Sequence, residues 1–210
     1  AAAADKRGAL RLDLAELKVE FGKDGMPTAV RPRPHYASHR LIELFMIAAN
    51  VAAATALEGV GLPCMYRVHD APDAAKVESL SALFKEFGLG AGRKRAVTPA
   101  DFNRLLARAA GSPVERLVHE TVLRAQAQAI YSPRNHGHFG LALGRYAHFT
   151  SPIRRYADLL VHRALIRGLK LGAGGHEDSV DFTTLAQHIS MTERRAAAAE
   201  RDALARFAAS

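Results

Sequence analysis

Apolar positions recur at three- and four-residue spacing over some stretches of the chain and alternate over others. Ile153, Tyr156, Ala157, Leu160, Val161, Ala164 and Leu165 predict a helix with one inward apolar face. Ser151 before Pro152 suits a cap, so that helix is expected to begin at Pro152, with Arg154, Arg155, Asp158, His162 and Arg163 on the remaining surface. Ser38 is expected to cap a long helix from about His39 to Glu58, closed by Gly59 and Gly61. Glu43, Ile47, Asn50, Ala54 and Leu57 share a stripe of it, and its alanines let another element approach closely. Further helices are expected from Pro72-Asp73 to Gly88, from Thr98 to Gly111 and from Pro113 to about Ile130. Closing helices carry Phe182, Leu185, Ile189, Leu204 and Phe207.

Alternation marks strands at Leu10–Leu14 and Leu17–Phe21, the second continuing through the turn Gly22-Lys23-Asp24-Gly25 into Thr28–Pro32. Cys64–His69 reads as a short strand with Arg67 and His69 on one face, and Leu141–Phe149 as short strands after a loop. Gly88 to Arg95 reads as a basic connection. The predicted class is α+β, helix-rich with short strands and hairpins, and without internal repeats.

The predicted helix start at Pro152 raises a chemical question. Two arginines in a first turn are unfavourable, because a helix N-terminus already carries partial positive charge. The Thr150 and Ser151 hydroxyls, the free N–H groups and the guanidinium groups of Arg154 and Arg155 would together bind a phosphate. Asp158, three and four residues on, would equally well pair with the two arginines, and spacing alone does not choose. For Glu43 the plain reading is a salt bridge to Arg40, and for Asn50 a hydrogen bond to neighbouring backbone.

Other chemistries find no support. His136-Gly137-His138 with His148, and His35 with His39, lack a zinc pattern with a third ligand. No Gly-x-Ser-x-Gly elbow or Walker-type loop occurs, and the aspartates never form a tight local cluster. The residues point to no metal site.

Composition narrows the partners. With 29 Lys and Arg against 21 Asp and Glu, the net charge of +8 favours polyanions. The 210 residues, 49% hydrophobic, suffice for a real core. A single cysteine, Cys64, excludes an internal disulfide and fits a reducing compartment. No run of about 18 apolar residues and no signal-peptide core occurs, so a soluble, cytoplasmic chain is expected.

The stretch Tyr146-Ala147-His148-Phe149-Thr150-Ser151-Pro152-Ile153-Arg154-Arg155-Tyr156-Ala157-Asp158-Leu159-Leu160-Val161-His162-Arg163 resembles the signature of the RNB exoribonucleases, the ribonuclease II / ribonuclease R family. Arg7-Gly8-Ala9-Leu10, Ile42 to Asn50, Tyr66-Arg67-Val68-His69, Gly137 to Leu143 and Glu193-Arg194-Arg195-Ala196 look like further landmarks in family order. The resemblance implies that residues 1–210 are a partial RNB catalytic domain. It also implies a processive 3′-to-5′ hydrolase of single-stranded RNA that releases nucleoside 5′-monophosphates with magnesium, acting as a monomer away from membranes.

On that basis Arg154 approaches the scissile phosphate and Glu43 the 3′-terminal nucleotide. Thr150, Ser151, Arg155, Tyr156 and His148 face RNA, while Asn50 and Asp158 give support, Asp158 as the orienter of Arg154. Leu44 stands where the family has a second glutamate. The family's magnesium-binding aspartates lie upstream of the Arg-Gly-Ala-Leu landmark, which only six residues precede here. The metal-binding segment, the cold-shock domains and the C-terminal OB-fold domain are therefore expected to be absent, and the chain to be inactive alone. The competing expectation is a non-catalytic RNA-binding or scaffold protein that keeps this half of the fold.

Overall fold

In a computed structural model of the chain, residues 6–12, 17–89, 97–177 and 179–209 are described. The order is β1 (Leu17–Phe21), β2 (Pro27–Pro32), α1 (Ala37–Gly59), β3 (Tyr66–Val68), α2 (Ala74–Glu86), α3 (Pro99–Ala109), α4 (Glu115–Ala125), β4 (Ile130–Ser132), α5 (Tyr156–Gly168) and α6 (Phe182–Ala209). Helices dominate and the strands pair antiparallel in two short sheets, as the predicted α+β class requires.

β1 and β2 form the expected hairpin, with Leu17 opposite Pro32 and Glu20 opposite Ala29. Its turn closes by the Gly22 N–H donating to the Met26 carbonyl at 2.8 Å. Phe21 meets Phe207 of α6 edge-to-face at 5.9 Å.

Two hydrophobic clusters result. One gathers Ala53, Ala54 and Leu57 of α1, Tyr66 and Val68 of β3, Tyr131 of β4, Leu160 and Val161 of α5, and Phe182 and Ala186 of α6. The other joins Leu80 and Phe84 of α2, Phe102 and Leu106 of α3, and Val118 and Val122 of α4. The second is built on predicted signals. Asp73 accepts from the Ala75 N–H at 2.8 Å, Thr98 and Asp101 form a reciprocal capping box, and Gly88 takes the positive φ of 68° that ends α2.

Several expectations are corrected. Residues 9–12 form no strand; the Leu10 N–H instead donates to the Gly140 carbonyl at 2.8 Å, while Leu14 lies outside the described residues, as does the connection at 90–96. The helix expected to reach Ile130 stops at Ala125, because Ile130 pairs with Val68 across β3 and β4. Leu141–Phe149 is turn and isolated bridge rather than strand. Ser38 does not cap α1: Tyr36 is the cap position, and its N–H donates to His39 Nδ1 at 3.3 Å. The closing segment is one helix rather than several.

α1 is divided along its length. Asn50, Ala53, Ala54 and Leu57 are buried, whereas Leu41, Ile42 and Phe45 near its start are more than half exposed. By length and composition alone the helix could cross a membrane, with a mean hydropathy of 1.6 over its most apolar window.

Candidate nucleic-acid interface

The run from Tyr146 to Arg163 does not fold as one helix entered at Pro152. Ser151 closes a single turn, its carbonyl accepting from the N–H groups of Arg154 at 3.3 Å and Arg155 at 3.0 Å. Arg155 then adopts extended backbone, φ −128° and ψ 117°, and the helix proper begins at Tyr156. The reason is Asp158, which is wholly buried. Its Oδ1 accepts from Arg155 Nε at 2.8 Å, and its Oδ2 from Arg155 Nη2 at 2.9 Å and the Ser151 N–H at 2.8 Å. A buried carboxylate needs such donors, and the extended Arg155 brings its guanidinium back to supply two of them.

This arrangement changes four assignments. Asp158, expected on the outer surface, is the interior anchor, and it holds Arg155 rather than Arg154. Ile153, expected to face inward, is fully exposed at the tip of the turn, and Tyr156 is nearly half exposed. Arg154 is exposed beside Ile153, and no described residue forms an ion pair with it. The choice between a phosphate clamp and an intrahelical ion pair thus divides: Arg155 makes the pair and Arg154 stays available.

The upstream side of the turn is held just as firmly. Asn50, buried in α1, donates through Nδ2 to Tyr146 Oη at 2.9 Å and accepts from the Phe149 N–H at 2.9 Å. The expected neighbouring backbone is not its partner: Asn50 bonds backbone 99 residues away and a side chain 96 residues away. His162 of α5 meets the Phe149 carbonyl at 2.8 Å through Nε2, and its ring stacks on Phe149 at 4.2 Å. Both backbone groups of Phe149 are therefore engaged, one from α1 and one from α5. Thr150 follows immediately, and its hydroxyl is buried without a hydrogen-bond partner.

A row of rings lines this segment. His69 and His138 stand 5.0 Å apart, His138 and Tyr146 5.3 Å, Tyr146 and His148 5.6 Å, and His148 and Tyr131 5.7 Å. Gly140 passes close enough to donate its N–H to His69 Nδ1 at 3.0 Å, where an added Cβ would itself come within 3.0 Å of that nitrogen. Burial, aided by the charges of Arg155, Arg67, His138 and Arg154, pulls His148 down to about 3. Burial and the neighbouring His69 and Arg67 pull His138 down to about 4. Burial pushes the Tyr131 hydroxyl up to about 12. At neutral pH the row is uncharged, and the positive charge of the site belongs to its arginines.

Glu43 stands apart from this cluster. It lies seven residues before Asn50, roughly 10 Å along the helix axis, and both its oxygens receive Arg40 Nη1 at 2.9 Å. The structure brings together His148, Thr150, Ser151, Arg155, Asp158 and Asn50; Arg154 and Tyr156 sit exposed at the rim. Tyr131, Tyr146, His162, Arg67 and Glu193 were not assigned any role from the sequence. Their roles follow from partners the fold brings to them, although Tyr146 and His162 lie inside the motif and Arg67 and Glu193 inside two further landmarks.

The described residues do not fit a magnesium site. Among the described residues no group of three or more His, Cys, Asp or Glu side chains is arranged to hold a metal ion. Asp158 spends both oxygens on Arg155 and Ser151.

The RNB domain family model matches residues 2–170. Ribonuclease R of Aquifex aeolicus is 44% identical over 198 residues, which are 94% of this chain and 28% of that protein. Ribonuclease R of Escherichia coli is 38% identical over 210 residues, 95% of this chain and 26% of that protein. The structure of Mycoplasma genitalium RNase R in complex with ribose-methylated single-stranded RNA superposes with a TM-score of 0.90 at 27% identity, covering 99% of this chain and 33% of that one. The chain spans about a quarter of the length of these curated relatives.

Proposed function

The chain belongs to the RNB family, and from that premise we propose that it is the RNA-handling part of an exoribonuclease working on single-stranded RNA. The whole protein removes nucleotides processively from the 3′ end. Water attacks the terminal phosphodiester, the bond from phosphorus to the 3′ oxygen breaks, and a nucleoside 5′-monophosphate leaves a shortened chain with a free 3′ hydroxyl. The described residues group no ligands for magnesium, and on this reading the 210 residues alone bind RNA without cutting it.

The observation that carries this reading is the division of labour between the two arginines. Asp158 consumes Arg155 and the Ser151 N–H, which leaves Arg154 exposed on a turn braced from both sides. An exposed guanidinium on a braced turn suits the stabilisation of charge developing on phosphoryl oxygens, since little reorganisation is then needed. The exposed Tyr156 ring extends the same surface towards a base face, and Thr150, whose buried hydroxyl lacks a partner, lies with His148 in the segment that carries the turn. Glu43, further along α1, meets ribose hydroxyls of the terminal nucleotide and so prefers RNA over DNA.

The test uses end-labelled single-stranded RNA with the longer protein that carries this chain and with the 210-residue chain by itself. The longer protein should shorten RNA stepwise from the 3′ end, and Arg154→Ala in it should slow turnover about 10²-fold. The chain alone should bind RNA, more weakly as salt rises, and release no mononucleotide. Mononucleotide release by the chain alone, or unchanged turnover in Arg154→Ala, overturns the reading.

A further inference from the structure

α6 lies beyond the residues matched by the RNB domain model, yet it reaches the candidate interface. Arg67 and Tyr131 are direct partners in the β3–β4 pairing, so their side chains emerge on one face. Arg67 lies over the Tyr131 ring, 4.6 Å from guanidinium carbon to ring centroid. From α6, Glu193 Oε2 receives Arg67 Nη1 at 2.6 Å, and one turn earlier the Ser190 hydroxyl accepts from the Tyr131 N–H at 2.9 Å. Tyr131 is buried, and its hydroxyl stands 2.9 Å from His148 Nδ1.

We propose that Glu193 is a positioning residue that, through Arg67 and Tyr131, fixes the orientation and tautomer of His148 beside the Arg154 turn. The Arg67–Glu193 pair spans 126 residues; Arg67 is largely covered, while the Glu193 side chain keeps 41% of its surface exposed, so the pair closes the edge of the buried layer. Without Glu193 the Arg67 side chain is free to leave the ring it covers, and Tyr131 loses its cationic lid. With Glu193 in place the Tyr131 hydroxyl donates to Nδ1, and the proton of the neutral His148 ring sits on Nε2 as a fixed donor. The role of this donor rests on the RNA-handling reading above; its positioning does not.

Two readouts separate these layers, both on the 210-residue chain. Long-range proton–nitrogen spectra should show His148 as a single neutral Nε2–H tautomer, and Glu193→Ala and Tyr131→Phe should each convert it into a mixture of tautomers. Each substitution should weaken binding of a fluorescein-labelled oligoribonucleotide about fivefold, the scale of one lost hydrogen bond, and the double variant no more than the worse single one. Glu193→Gln, which keeps an acceptor for Arg67, should restore most of the affinity and serves where Glu193→Ala does not fold. An unchanged His148 tautomer in Glu193→Ala, or additive losses in the double variant, overturns the proposal. Tautomer changes in a chain that binds no RNA would leave the positioning intact and remove the RNA-handling reading.

Discussion

The cluster joining α2, α3 and α4 and the cluster beneath the Tyr146–Asp158 segment bury comparable side chains, but they are held by different forces. The first consists of Leu80, Phe84, Phe102, Leu106, Val118 and Val122, with its helix ends closed by local caps at Asp73 and Thr98. The second wraps its apolar centre around Asn50, Asp158 and Ser190, all buried: Asn50 and Ser190 bond to partners distant in the chain, and Asp158 to Ser151 and Arg155 of the turn just before it. Aliphatic packing tolerates adjustment, whereas buried polar groups accept only geometries that satisfy them, which fixes the exposed turn they support. A stable scaffold and a precisely held site are thus made by separate parts of one small fold.

The largest effect should come from opening the apolar cluster. Phe84→Ala leaves a cavity in a nearly inaccessible position and should cost about 3–5 kcal/mol by urea denaturation, without changing RNA affinity while the chain stays folded. A matching loss of affinity would erase the distinction between the clusters. Asp158→Ala should cost about 3 kcal/mol, because Arg155 and the Ser151 N–H lose their acceptor together, and it should also lower RNA affinity. A loss below about 1 kcal/mol would show that the carboxylate is no anchor.

Acid should discriminate the clusters without any substitution. His138 and His148 are held neutral, at about 4 and about 3 against an ordinary 6.5, so the unfolded chain binds more protons between those limits. Stability contributed by the neutral rings is complete above pH 6.5 and falls as pH drops towards 4, with about two protons taken up on unfolding near pH 5 by His138 and His148, to which His69, also lowered by burial, adds. Denaturation midpoints across this range measure the slope, and His148→Gln should reduce the uptake by about one proton. The smallest effect belongs to the cap of α3: Thr98→Ala should cost about 1 kcal/mol in thermal melts, and because the Thr98 hydroxyl chiefly holds the Asp101 carboxyl below the usual carboxylate range, it should weaken only the most acidic end of the pH dependence.

Legibility follows the same division. α2 and α3 were readable because their signals are local: Asp73 before an apolar stripe, Thr98-Pro99-Ala100-Asp101 as a cap, and Gly88 at positive φ. Around the site, periodicity ran Ile153 and Tyr156 into the interior and started the helix four residues early. It sees spacing along the chain, and the extended backbone at Arg155 is imposed by a buried carboxylate that spacing does not register. Arg40 with Glu43 was readable for the opposite reason, being a pair three residues apart on one helix.

By itself the sequence determined the helix-rich α+β class, the hairpin of β1 and β2, and the motif that marks the family, since each depends on residues close together in the chain. Only the tertiary structure decided that Asp158 takes Arg155 and leaves Arg154 free, that Asn50 holds Phe149, and that Glu193 reaches Arg67. A buried donor or acceptor bonds to whichever partner packing brings within 3 Å or so, and the partners of Asn50 and Arg67 lie 99 and 126 residues away, beyond any local pattern.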